Sequence, residues 1–215
     1  MRPARVKDVI ADIHTINKDY GVTSEVKWGT AKARRNDVYK AYMDLLFALI
    51  STNSAHLHIR FVPMHKYAHN ISGSRHYIDT ISKQFYQLFL HRAARYYGAH
   101  CKIMIRPDKG DCTSYLPNIM DGLNTESKAR FRLLFEPFTN IEPRESQDEP
   151  ILQLLDVTIG AICAAKNGTH LKGALGSYKC RLVEYALLKL SPRHIDESTP
   201  ITERQISLWS VKPSH

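Results

Sequence analysis

Apolar residues recur every three to four positions over several long stretches of the chain and alternate with polar ones over several short stretches. Val6, Val9, Ile10, Ile13 and Ile16 share one face of a helix predicted over about 3–20, which Gly21 ends. A helix over about 34–51 is apolar nearly all round in its second half, YMDLLFALI, which marks it for deep burial. Ile78, Ile81, Phe85, Leu88 and Phe89 give the core face of a long helix over about 75–97, with Gly98 as its stop. Two more helices are predicted over about 114–123 and 178–190. Leu57, Ile59 and Phe61 alternate with His56, His58 and Arg60, which marks a strand at about 56–63, and further strands are predicted at about 24–28, 101–106, 130–135 and 206–211. Strands interleaved with helices imply an α/β layer fold built on a mixed or largely parallel sheet. No internal repeat or low-complexity linker interrupts the pattern, so a single domain spanning 1–215 is expected.

The most informative stretch is QDEPILQLLDVTIGAICAAKNG, from Gln147 to Gly168. Pro150 suits the first turn of a helix, where its missing N–H costs nothing. Ser146 or Asp148 is placed to cap the free amides ahead of it. Ile151, Leu154, Leu155, Ile159 and Ile162 form the apolar face, and Asn167-Gly168 closes the helix. Asp156 interrupts this pattern, with no basic residue at i±3 or i±4. Either it faces solvent from the far edge of the helix, or it is satisfied by a cation or hydrogen bonds, since an unpaired buried carboxylate costs several kcal/mol.

Composition narrows the function classes. The chain has 215 residues, 43% hydrophobic and 24% charged, which is ordinary for a globular protein. No apolar run reaches membrane-spanning length and no signal-peptide core opens the chain, so a cytoplasmic protein without a membrane partner is expected. Four cysteines without a C-x-x-C pair indicate neither a zinc ribbon nor a disulfide framework. A net charge of +9 favours a polyanionic partner, and nucleic acid is the commonest one; a diffuse excess also serves solubility.

Three motifs carry a family resemblance. P-I-L-Q-L-L-D-V-T-I-G-A-I resembles the C-terminal signature helix, P-x-x-Q-x-A-D-x-x-x-G-A, of the ribonuclease H-like proteins known as domain of unknown function 3800. Ser24-Glu25-Val26-Lys27-Trp28 is similar to that family's E-x-K-W element, and Cys101 to Asp108, CKIMIRPD, to a strand that ends in an acidic residue. The resemblance implies a ribonuclease H-like mixed sheet flanked by helices, and a metal-dependent nuclease or phosphodiesterase. Its catalytic and metal-ligating carboxylates would be Glu25, Asp108 and Asp156, converging on Mg²⁺ or Mn²⁺. Such ions need oxygen ligands and let carboxylates crowd that would otherwise repel. One activates water and the other stabilises the leaving oxygen.

Lys27 and Lys109 are candidates for holding phosphate, or are solvated surface lysines. Gln153, one turn before Asp156, would orient that carboxylate or is an exposed amide. Asp108 lies in P-D-K-G, which is also strong turn chemistry, and Asp111 is an alternative three residues on. Glu25 is equally an exposed residue paired to Lys27. Members of the family open with a strand carrying a D-E-S-G-like motif, and here the chain starts at the following helix. Asp8, Asp12 and Asp19 do not match that motif, and D-E-S at 196–198 has no strand before it. The opening strands are therefore expected to lie upstream, or the protein is a shortened member. A shortened member would be a catalytically incomplete protein that binds nucleic acid or another partner.

Other patterns carry less. His65 and His69 are spaced i, i+4 as a zinc pair would be, but no H-E-x-x-H or cysteine accompanies them. No G-x-x-x-x-G-K, G-x-G-x-x-G or G-x-S-x-G is present, which argues against P-loop, Rossmann and hydrolase-elbow chemistry.

Overall fold

The computed structural model describes residues 3–32, 36–64, 76–110, 113–191 and 193–212. His65, His69 and Asp111 lie outside the described residues. The chain divides into two compact units, one of residues 1–57 and 146–208, the other of 58–145 and 209–215. Among the described residues no helix is long and apolar enough to cross a membrane.

The first unit is built on four helices: α1 (Pro3–Asp19), α2 (Asn36–Ser51), α6 (Pro150–Lys166) and α7 (Ser177–Leu190). The apolar periodicity of α1 and α2 is realised, with Val9, Ile13, Tyr42, Met43 and Ile50 in the core. α6 buries Leu154, Val157, Thr158, Ala161, Ile162 and Ala165 against α1, α2 and α7. Each fully buried Leu, Val or Ile contributes about 1.5–3 kcal/mol. Ile151, Leu155 and Ile159, expected on that face, are only half-buried, because the small residues Thr158, Ala161 and Ala165 let the helices approach along a face rotated from it. Pro150 opens α6 as expected, but Glu149 occupies the cap position without a side-chain bond. The Ser146 hydroxyl is committed elsewhere. Asn167 and Gly168 end the helix: Gly168, at φ +64°, donates to the Ala165 carbonyl and Thr169 to that of Ala164, a Schellman closure.

The second unit contains α3 (His76–Leu88), a π-helical turn over Phe89–Ala94, the short α4 (Arg95–Tyr97) and α5 (Met120–Phe131). The predicted long helix over 75–97 is thus continuous but widens for six residues. Phe89, Leu90, Ala94, Leu116, Leu123, Phe138 and Ile141 form the core of this unit. Strand β2 (Ile103–Ile105) pairs in parallel with β3 (Phe138–Ile141). The strand expected at 130–135 is absent. α5 runs on to Phe131, and Arg132, in the left-handed region at φ 53°, closes it. The chain becomes a strand only after Pro137, where buried Asn124 clamps both the N–H and the carbonyl of Phe138.

Strands β1 (Leu57–Phe61) and β4 (Ile206–Ser210) form a second two-stranded sheet. The bonds from Leu57 N–H to the Gln205 carbonyl and from Val211 N–H to the Phe61 carbonyl ascend together, so this pair is parallel too. The division between units runs through both strands. The fold is α/β, with two short parallel sheets among the described residues in place of the one broader sheet the alternation implied.

Candidate functional site

The segment 24–28 alternates as a strand would, with Val26 buried and Glu25 and Lys27 half-buried, but among the described residues it pairs with no strand. Its backbone is satisfied by side chains of α6 instead. The Val26 N–H donates to Gln153 Oε1 at 3.0 Å, and the Trp28 N–H to Asp156 Oδ2 at 2.7 Å. Gln153 and Asp156 are three apart on the helix and meet amides two apart on the segment, so the two periods register. One turn further along, Gly160 seats the Trp28 side chain: a Cβ there would lie 2.2 Å from Trp28 Cγ. The Q-x-x-D-x-x-x-G spacing therefore serves, in this fold, to dock an extended segment on a helix face.

The other side of the segment is held by α7. Lys179 Nζ lies 5.1 Å from the Trp28 ring centroid and donates to the Gly29 carbonyl at 3.2 Å, and burial lowers its pKa. The Tyr178 hydroxyl donates to the Ala31 carbonyl. Gln153 is only 7% exposed and also donates from Nε2 to the Ser146 carbonyl at 2.8 Å, so it is a buried, fully engaged amide rather than a surface one. The Ser146 hydroxyl donates to Glu25 Oε1, and Lys27 Nζ sits 2.9 Å from Glu25 Oε2. Glu25, Lys27, Ser146, Gln153 and Asp156 thus form one connected group within the first unit. Both oxygens of Glu25 are engaged. Asp156 is exposed, as one reading of the sequence had it, and is at the same time a hydrogen-bond acceptor for the segment.

This group borders a cleft of about 750 Å³, lined by Thr23, Ser24, Glu25, Lys27, Thr30, Lys32, Tyr39, Gln147 and Gln153. The lining supplies two ammonium groups, four hydroxyls and two amides against one carboxylate, which Lys27 already neutralises. Such a wall suits an anion with several acceptor oxygens.

Asp108 and Lys109 belong to the second unit. Asp108 is exposed, bridges to Arg144 through its backbone, and accepts from the Thr113 hydroxyl through its carbonyl at 2.8 Å. That hydroxyl also accepts the Gly110 N–H at 2.9 Å, so P-D-K-G forms a turn locked by Thr113. Lys109 pairs with Glu145 at 2.9 Å, and that bond raises its pKa. Among the described residues no group of three or more His, Cys, Asp or Glu is arranged to hold a metal ion. Lys27 and the Ser146 hydroxyl each engage one oxygen of Glu25.

Sequence reasoning did not single out Ser146 as a partner of Glu25, nor Thr23, Thr30 and Gln147 as cleft residues. Lys32 and Lys179 were visible only as part of a scattered basic excess. Gly160 was legible: it stands at the glycine of the signature, one turn after Asp156. Compared with models of protein families, with curated proteins and with solved structures, the chain finds no match in any of the three. The resemblance to the ribonuclease H-like family rests on the three motifs themselves.

Proposed function

We propose that this protein binds nucleic acid in the cytoplasm through the cleft of its first unit, without cutting it. The observation that carries this reading is the lining of that cleft, where Lys27 and Lys32 stand among hydroxyls and amides in a chain of net charge +9. Lysine ammonium groups neutralise phosphates and release their counterions, which gives affinity without sequence readout. Hydroxyl and amide donors fix register on the backbone. Electrophoretic mobility or fluorescence anisotropy with a labelled oligonucleotide at increasing salt tests it. The binding constant should fall steeply with salt, and Lys27→Ala and Lys32→Ala should each lower the log–log slope by about 1. Salt-insensitive binding, or none, removes this reading and leaves a scaffold whose charge serves solubility.

A second reading is a ribonuclease H-like phosphodiesterase dependent on Mg²⁺ or Mn²⁺, with Glu25 and Asp156 among its carboxylates. One observation favours it: Asp156 accepts the Trp28 N–H of the segment that carries Glu25, so these two carboxylates belong to elements docked on one another. Incubating the full chain with labelled single-stranded, duplex and hybrid substrates in Mg²⁺ or Mn²⁺ tests it. Metal-dependent cleavage that Asp156→Asn abolishes would establish this reading over the first.

A further inference from the structure

Resting on the binding reading above, we infer that the cleft of the first unit selects single-stranded over duplex nucleic acid, with Lys27 and Lys32 neutralising phosphates of a strand that enters it. The argument is one of shape. Proteins read a duplex with parts that protrude, such as a helix or ribbon laid in a groove, and a duplex is a stiff, convex rod with a persistence length of about 50 nm. Against a concavity such a rod touches the rim alone. The first unit offers the opposite form: its cationic side chains line a recess of about 750 Å³ whose inner side includes Tyr39, only 2% exposed. That volume lies in the range of about 300–1,000 Å³ that encloses a small organic ligand, so the recess accommodates a short stretch of flexible chain and not a double helix. A single strand can rotate its phosphates inward to the lysines and turn its bases outward or against the wall.

The hydrogen-bonding inventory agrees. Thr23, Ser24 and Thr30 present hydroxyls and Gln147 an amide, so the lining offers donors to oxygens from several directions. A flexible strand meets such donors by changing its torsions. One wall of the recess is also held in place. This Lys27-bearing wall is pinned by Gln153 and Asp156 from α6 and by Lys179 from α7, so it is preorganised and not formed on binding.

The test is competition by fluorescence anisotropy on the full chain, using an oligonucleotide of about 12 nucleotides alone and annealed to its complement. Wild type should bind the single strand about tenfold more tightly than the duplex at the same salt. In Lys27→Ala and in Lys32→Ala this ratio should shrink, and in the double variant approach one. Lys102→Ala, in the second unit, should keep the wild-type ratio. Circular dichroism establishes that each variant folds, and since each lysine is changed separately, loss of one variant leaves the other decisive. Equal or tighter binding of the duplex overturns the inference while leaving the binding reading intact. Displacement of the strand by a mononucleotide at equal molar concentration also overturns it, because the recess would then be a small-ligand site. Failure to bind either form overturns the binding reading and the inference together.

Discussion

The two units use the same kinds of residue in opposite ways. In the first, Glu25, Gln153 and Asp156 are satisfied by partners more than 120 residues away in sequence, through bonds to Ser146, Val26 and Trp28. In the second, Asp108 and Lys109 are satisfied within a turn and by residues 144 and 145 of the neighbouring strand end. An acidic residue after a strand and an acidic residue on a helix look equally like ligands in a sequence. Only Asp156 here is tied to a distant segment through its carboxylate, whereas Asp108 acts through its backbone. The range of a polar residue's bonds, and not its type, separates a residue that builds a site from one that finishes a turn.

The comparison breaks most easily at Gly160. Gly160→Leu drives a side chain into Trp28, whose Cβ, Cγ and Cδ1 already lie within 2.2–2.6 Å of a Cβ built there. Thermal or urea unfolding should show a loss of about 3 kcal/mol or more, as overpacking of a tight contact does. Gln153→Leu comes next. It leaves the Val26 N–H and the Ser146 carbonyl without their partner and should cost about 1–3 kcal/mol in the same measurement. Asp108→Ala should stay within about 0.5 kcal/mol, because its side chain is exposed and its backbone makes the turn. A cost at Asp108 equal to that at Gln153 would erase the contrast.

Smaller effects sharpen the first unit further. Glu25→Gln removes the carboxylate that neutralises Lys27 and should tighten oligonucleotide binding about two- to threefold at low salt, read by anisotropy. Asp44 gives a pH signature. Burial raises its pKa, but bonds from Lys189 and Tyr185 outweigh that and hold it below 3.8. A carboxylate with a depressed pKa stabilises the fold above its unfolded value, and that contribution is lost as pH falls below 3.8 through the folded value. Asp44→Asn should therefore flatten the acid limb of the stability curve. The pair is partly exposed, so the difference should be no more than about 0.5 kcal/mol.

Much of this molecule is legible in the sequence. The helices announce themselves by period, and α1, α2, α6 and α7 fall within a residue or two of where the apolar spacing places them, because each buries one stripe in a shared core. The segment 24–28 was legible in its alternation but not in its pairing. Its partners are the side chains of a helix, and no local rule joins Val26 to Gln153. The region 130–135 misleads for a different reason. Phe131, Leu133 and Phe135 alternate, yet Leu134 between them is 98% exposed, and the helix before them persists through polar residues whose periodicity is weak. The candidate carboxylates were visible as residues. Their separation into two units was not, since it depends on how distant segments pack.

The chain has two tryptophans, Trp28 and Trp209, and the division of the chain gives one to each unit. Each indole lies close to a cation: Lys179 at 5.1 Å from Trp28, and Arg60 at 3.7 Å from Trp209. The protein thus carries one tryptophan fluorophore per unit, each near a charge that responds to local loosening. Trp209→Phe leaves an emission spectrum that reports on the docked segment alone, and Trp28→Phe one that reports on the second unit. With these two single-colour versions, the order in which the units come apart can be watched without any attached dye.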